Sequence, residues 1–225
     1  MSMASVFDVP LETRTRTGVP IAGRGRAERR LPDAKRVFDI AVSSILLAVF
    51  MPFLVASALL IEATSPGSAL YVQWRVGRRG RLFRMYKLRT MVQDAEKGTG
   101  PVWAKSRDPR VTGFGRLLRD SHLDELPQLW NVLRGEMSLV GPRPERPVFV
   151  QDFSESIPNY AARLEVRPGI TGLAQVFRGY DKTVSDVRRK LAYDLLYIRR
   201  MSVALDLYIM FRTLGKAIPV APREA

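Results

Sequence analysis

Residues 40–61 read IAVSSILLAVFMPFLVASALLI and carry no charged side chain. As a straight helix they would run about 33 Å, enough to cross the hydrocarbon core of a bilayer. The flanks oppose a simple crossing. Arg24, Arg26, Arg29, Arg30, Lys35 and Arg36 precede the stretch, and Arg75, Arg78, Arg79, Arg81 and Arg84 follow it. Short basic flanks favour the cytoplasmic side of a membrane, so a segment with two such flanks should enter and return. Pro52, near the middle, lacks the N–H that would bond the Ala48 carbonyl, and its ring kinks or breaks a helix there. Ser43, Ser44 and Ser57 offer hydroxyls to the freed backbone groups. A cleaved signal peptide fits poorly, because run and leader are too long and no small-x-small site closes the run. A buried core helix is the alternative that length alone leaves open.

The expected organisation is therefore a mobile basic tail over residues 1–31, a re-entrant, proline-broken membrane helix over 32–62, and a compact cytosolic domain over 63–225. The expected fold class is α/β, mainly α. The chain of 225 residues has a net charge of +14 and a pI near 10.7. It should seek anions: nucleic acid, acidic lipid headgroups or phosphorylated substrates. With no cysteine and one histidine, His122, it has neither a disulfide framework nor a thiolate or histidine-rich zinc site.

Beyond Pro66-Gly67, the stretches 69–74 and 82–88 read as strands joined by a basic, Gly-bearing turn (Gly77, Gly80), hence a hairpin. Residues 93–110 read as a loop, and 111–119 and 126–133 as helices. Residues 149–164 read as a helix interrupted at Pro158. Residues 183–218 show one long helical periodicity through Leu191, Leu195, Ile198, Leu205, Ile209 and Leu214. No repeat and no GxGxxG is present.

The stretch LDELPQLWNVLRGEMSLVGPRP (123–144) holds the chemistry. Asp124 and Glu125 precede an apolar-periodic helix, and Pro127 places them within or just before its first turn, where free N–H groups and positive partial charge keep an Asp ionised. An ionised Asp can attack phosphorus and form a covalent intermediate. A neighbouring Glu can help hold Mg²⁺, so both carboxylates are candidate metal ligands. An ordinary acidic cap is the bland alternative. Arg143, fixed between Pro142 and Pro144, is suited to grip two phosphate oxygens. Arg167, before Pro168-Gly169, repeats the device. In KLRTM (87–91), Lys87 and Arg89 share a strand face. Arg119 would neutralise a diphosphate or merely close a helix, and Gln175 in RPGITGLAQV (167–176) would contact a base or sugar or satisfy a backbone group. Solvated turns and strand faces are the alternatives for these cations. His122 competes as a base beside Asp124 with a cap or surface role. The spacing of Trp130 with Leu126 and Leu133 points to the core.

The order and wording of these motifs, from about Lys35 to Leu214, resemble the bacterial sugar transferases of the small monotopic phosphoglycosyl transferase kind. The resemblance implies a catalytic domain on the cytoplasmic face of the bacterial inner membrane. It implies transfer of a sugar-1-phosphate from a UDP-sugar to polyprenol phosphate, with release of UMP. By the same resemblance, Asp124 is the nucleophile and Glu125 assists Mg²⁺, while Lys87, Arg89, Arg119, Arg143 and Arg167 surround the diphosphate. Leu173 departs from the family, where many members have an aromatic residue. The stretch Arg178-Gly179-Tyr180-Asp181 and the charged helix after it look more like hexose-1-phosphate transferases than acetamidosugar ones. Expected partners are the UDP-sugar, polyprenol phosphate and anionic membrane lipids, with a homo-oligomer compatible and nucleic acid not expected. A nucleic-acid module leaves the apolar stretch unexplained and shows no recognised motif. A membrane scaffold leaves the acidic dyad idle.

Overall fold

The computed structural model describes residues 33–97, 108–177 and 183–217. The basic tail over 1–31, Trp103 and the 178–181 stretch lie outside these residues.

Helix α1 spans Asp33–Thr64 with Pro52 inside it, and the helix runs on through the proline rather than breaking there. Among the described residues it is the one helix long and apolar enough to cross a membrane by length and composition. Its two sides invert the usual pattern of a surface helix. Lys35, Asp39, Ser43 and Ser57 are buried, while Val37, Ile45, Val49, Val55 and Leu59 are exposed. The spacing Lys35-Asp39-Ser43 is one residue per helical turn, so these polar groups form one stripe facing the protein. Apolar side chains on the other face lie open, which suits contact with lipid.

The hairpin forms as expected, with strands β1 (Leu70–Val76) and β2 (Leu82–Leu88) antiparallel and Tyr71 opposite Lys87. Helices α2 (Gly113–Asp120) and α3 (Gln128–Leu133) follow. Thr112 caps α2 by accepting the Gly115 N–H at 3.0 Å. Two short strands went unread in the sequence. Strand β3 (Ser138–Val140) pairs in parallel with β4 (Gly169–Thr171). They join the Gly-Pro-Arg-Pro and Arg-Pro-Gly turns side by side: Gly141 N–H donates to Thr171 O at 2.9 Å, and Gly169 N–H to Pro142 O at 3.0 Å. A Cβ at Gly141 or Gly169 would collide with the other turn's backbone, so glycine is needed for this approach.

Helix α4 (Pro147–Ser156) ends ahead of Pro158, and a 3₁₀ segment covers Tyr160–Glu165. The short α5 spans Leu173–Phe177. The long periodicity beyond Thr183 is two helices rather than one, α6 (Val184–Arg200) and α7 (Val203–Ala217). Met201 leaves helical geometry, and the Ser202 hydroxyl accepts the Leu205 N–H at 3.2 Å. The break folds α7 back so that Tyr197 donates to Asp206 at 2.7 Å, a contact a straight helix could not make.

The main core joins Phe83 and Met85 of β2, Leu129 and Val132 of α3, Met137, Val140, Tyr197 and Ile209, with Phe38, Val42 and Leu46 of α1 against it. A second core lies between β1, α4 and α6. A third brings Ile61 of α1 to Leu88 and Leu118. Trp130 is not part of any of them: it is 50% exposed, because α3 turns Leu129 and Val132 inward and leaves its neighbour outside.

Candidate active site

The end of β2 organises the site. Beyond Leu88, the Thr90 carbonyl accepts the Thr112 N–H at 3.1 Å, and the Thr90 hydroxyl accepts Arg119 Nε at 2.7 Å. The KLRTM segment thus sets α2 and the turn after it. His122 takes a left-handed conformation (φ 57°), and residues Leu123–Glu125 form a 3₁₀ turn. The dyad therefore lies in its own turn just ahead of α3, one of the two placements the sequence allows. Pro127 is the N-cap of α3.

Burial and charge divide the dyad. Asp124 is 7% and Glu125 9% exposed. Glu125 Oε1 accepts Lys87 Nζ at 2.7 Å and Arg143 Nη2 at 2.6 Å, and Oε2 accepts Arg143 Nη1 at 3.3 Å. Burial alone would raise the Glu125 pKa, but Arg143 and Lys87 outweigh it and hold the carboxyl well below the usual carboxylate range. In return, Glu125 raises the Arg143 pKa against the effect of burial. Burial lowers the Lys87 pKa, with Glu125 opposing. Among the described residues the Asp124 carboxylate makes no hydrogen bond and no ion pair. Burial pushes its pKa up and Glu125 adds to this, while Lys87, Arg119 and Arg143 act from a distance in the opposite sense. One carboxylate is thus neutralised in place, and the other is desolvated and left open beside three cations.

Of the other expected cations, Lys87, Arg119 and Arg143 gather at the dyad. Arg89 is spent elsewhere: its guanidinium donates to the carbonyls of Ser65 and Pro66 beyond the end of α1. Arg167 Nε donates to Gly135 O at 2.8 Å, and the charges that act on it are those of Arg36, Arg78 and Asp39 rather than the dyad. Gln175 Nε2 donates to Ile170 O at 2.9 Å. His122 is exposed.

Two arrangements escaped the sequence. The carbonyls of the Arg143 loop are held one after another: Arg163 Nη2 donates to Arg143 O at 3.0 Å, Arg75 Nη1 to Pro144 O at 3.0 Å, and Val76 N–H to Glu145 O at 3.0 Å. Asn131 docks α3 on β2, accepting the Tyr86 N–H at 3.2 Å and donating to Arg84 O at 2.7 Å. A signal for the first existed in Asp194, a lone acid between the inward positions Leu191 and Ile198 of α6.

For a metal, this site offers a pair of carboxylates; no group of three histidine or acidic ligands exists among the described residues. Mg²⁺ commonly uses one or two carboxylates plus substrate phosphate and water, so hard oxygens from the dyad fit an ion that arrives with a diphosphate. Asp124 is the more available of the two, since both oxygens of Glu125 already hold cations.

The sequence model of a family described as bacterial sugar transferase matches residues 30–219. The chain is 49% identical over 181 residues to a UDP-glucose:undecaprenyl-phosphate glucose-1-phosphate transferase of Caulobacter vibrioides, covering 80% of this chain and 67% of the relative. It is 46% identical over 180 residues to a UDP-N-acetylgalactosamine-undecaprenyl-phosphate N-acetylgalactosaminephosphotransferase of Aeromonas hydrophila, covering 80% of this chain but 42% of that protein. An exopolysaccharide production protein of Rhizobium leguminosarum is 41% identical over 184 residues, with 80% of this chain and 92% of the relative covered.

Proposed function

Because the chain belongs to the bacterial sugar transferase family, we propose that it transfers a sugar-1-phosphate from a UDP-sugar to polyprenol phosphate through a covalent bond to Asp124. The observation that carries this reading is the unpartnered, nearly buried Asp124 carboxylate beside a Glu125 already neutralised by Lys87 and Arg143. A carboxylate stripped of hydration and of ion partners is a stronger nucleophile than a solvated one.

In the first half-reaction an Asp124 oxygen attacks the phosphorus that bears the sugar. The bond from that phosphorus to the bridging oxygen breaks, and its electron pair leaves with UMP. In the second, a phosphate oxygen of the lipid attacks the same phosphorus, and the bond to Asp124 breaks to restore the carboxylate. Lys87, Arg119 and Arg143 face the charge spread over the phosphoryl oxygens in each transition state, where preorganised cations act most strongly. Bound at Asp124 and the diphosphate, with Glu125 alongside, Mg²⁺ would add neutralising charge to the phosphate oxygens.

The lipid phosphate stays at a membrane surface, which gives the outward apolar face of α1 its use. We assign α1 a re-entrant course, with both ends and the catalytic domain on the cytoplasmic face of the bacterial inner membrane. Basic residues at both flanks support it. The sugar is expected to be a hexose such as glucose, by analogy with one relative, with the acetamidosugar N-acetylgalactosamine of another as the alternative, and the product would feed exopolysaccharide or glycoconjugate assembly.

The test is an assay of the protein in nanodiscs with polyprenol phosphate, Mg²⁺ and a panel of UDP-sugars. UMP release is expected, and release of UDP instead would overturn the reaction type. Incubation with the correct UDP-sugar alone should leave a sugar-phosphate mass on the peptide carrying Asp124. Asp124→Asn should abolish both adduct and turnover, because an amide of similar shape is a far poorer nucleophile. Substantial turnover by a contamination-free Asp124→Asn preparation would reject the covalent route.

A further inference from the structure

Arg143 can grip phosphate only if its loop is held still, and the carbonyls of that loop are held from outside it. Arg143 is flanked by prolines, which supply no N–H, so its anchoring falls to carbonyl acceptors. The Arg143 carbonyl accepts Nη2 of Arg163 at 3.0 Å. That same Nη2 donates to Asp194 Oδ2 on α6 at 2.8 Å, and Nε donates to the same oxygen at 3.0 Å. Nη1 donates to the Tyr160 hydroxyl at 3.0 Å, and the guanidinium lies 5.2 Å from the Tyr160 ring centre. Arg163 and Asp194 are both buried.

We propose that Arg163, fixed by Asp194 and Tyr160, is a positioning residue for the transfer reaction: it ties the backbone of Arg143 to α6 and so aims the guanidinium that meets Glu125 and the phosphate. The proposal rests on the function given above for Arg143. Lysine at this position keeps the charge for Asp194, but a single ammonium cannot reproduce the planar fork that bridges Asp194, Tyr160 and the Arg143 carbonyl together. A purely structural buried pair would serve stability alone. The two roles separate, because a stability role predicts no dependence on the identity of residue 143.

The experiment is a double-mutant cycle in nanodiscs with the UDP-sugar that wild type uses best, measuring kcat, KM and melting temperature for Arg163→Lys, Arg143→Lys and the double variant. Arg163→Lys is expected to lower kcat by about tenfold to a hundredfold, the scale of a misplacement near 1 Å. In the Arg143→Lys background the same change should cost less than threefold. Tyr160→Phe, which removes one support of Arg163, should give a smaller loss in the same direction and serves if Arg163→Lys does not fold. Kinetics within twofold of wild type, or equal losses in both backgrounds, would overturn the proposal. If wild type releases UMP from no UDP-sugar, the functional reading fails by itself. The positioning claim is then decided by amide exchange of Arg143 and Glu145, which Arg163→Lys should accelerate and which unchanged exchange would refute.

Discussion

The ammonium of Lys35, near the start of α1, pairs with the carboxylate of Asp206 on α7, 171 residues further along the chain. Neither side chain is more than 3% exposed. The pair sits in a closed set of polar contacts. Lys35 also donates to Val140 O at 3.3 Å, Tyr197 donates to Asp206 at 2.7 Å and to Val140 O at 3.0 Å, and Asp39 accepts the Leu139 N–H at 3.2 Å. The apolar helix is thereby fastened to β3, the strand that leads into the Arg143 loop. This gives α1 a fixed angle to the catalytic domain, which hydrophobic contact alone would leave free to slide.

Removing one member of this set leaves the other charge buried, a cost of about 3–5 kcal/mol for such pairs. Lys35→Met should be the most damaging change, because it strands both Asp206 and Asp39. Asp206→Leu should fall at the low end, since Asp39 remains 3.8 Å from Lys35. The double variant Lys35→Met/Asp206→Leu should melt above Lys35→Met alone. Thermal unfolding in detergent reads this order, and identical melting of all four proteins would deny the pair any structural weight.

The arginines should separate into two kinds. Arg143→Lys keeps the charge but loses the two-pronged grip, and about 2–4 kcal/mol of transition-state stabilisation should go with it. Arg89→Lys and Arg167→Lys break bonds to backbone carbonyls, so they should lower the melting temperature while leaving kcat within about threefold, a modest change by the scale of removing a preorganised charge. Steady-state kinetics beside melting curves distinguish the kinds. A large kcat loss in Arg167→Lys with unchanged stability would return Arg167 to the phosphate.

Glu125 should make stability depend on pH. Its folded pKa lies below its ordinary value of 4.5, so its ionised form contributes stability above that value, and the contribution is lost as pH falls below 4.5 toward the folded pKa. Glu125→Gln removes the partner of Lys87 and Arg143. The melting-temperature gap between wild type and Glu125→Gln should therefore be wider at pH 7 than at pH 3. A gap that grows on acidification would contradict the ion pairing.

Chelation of divalent cations should stop turnover, and Mn²⁺ should restore part of it, as expected for hard oxygen ligands. The melting temperature should not change, because Glu125 is already held by Lys87 and Arg143. Full turnover in excess chelator would remove the metal from the scheme.

Single cysteines in place of the exposed Ala34 and Arg79 should both react with a membrane-impermeant thiol reagent only after cells are opened. Pro52→Ala restores a hydrogen-bond donor inside α1 and should shift the helix toward a full crossing. Labelling of either cysteine in intact cells of the parent would exclude a course with both ends in the cytoplasm.

Local chemistry made much of this protein legible in its sequence. The charge-free run of 40–61 marks α1 because a helix hydrogen-bonds within itself and needs no distant partner. Alternating residues and a Gly-bearing turn mark the β1–β2 hairpin for the same reason. Adjacent carboxylates and a proline-locked arginine mark Asp124, Glu125 and Arg143 by residue type alone. Other features required the chain to close on itself. Strands β3 and β4 are three residues each and pair in parallel, so neither has a local signature and each exists only against the other. The break at Met201 follows from the need to bring Asp206 to Tyr197 and Lys35. Arg89 and Arg167 look like phosphate ligands in one dimension, but their guanidinium groups meet backbone carbonyls at the ends of α1 and α3, and a buried carbonyl must be satisfied before any ligand is. The different fates of Asp124 and Glu125 were decided in the same way. The two neighbours carry the same charge in the sequence, and only the packing of β2 and the Arg143 loop gives both cations to Glu125 and leaves Asp124 open.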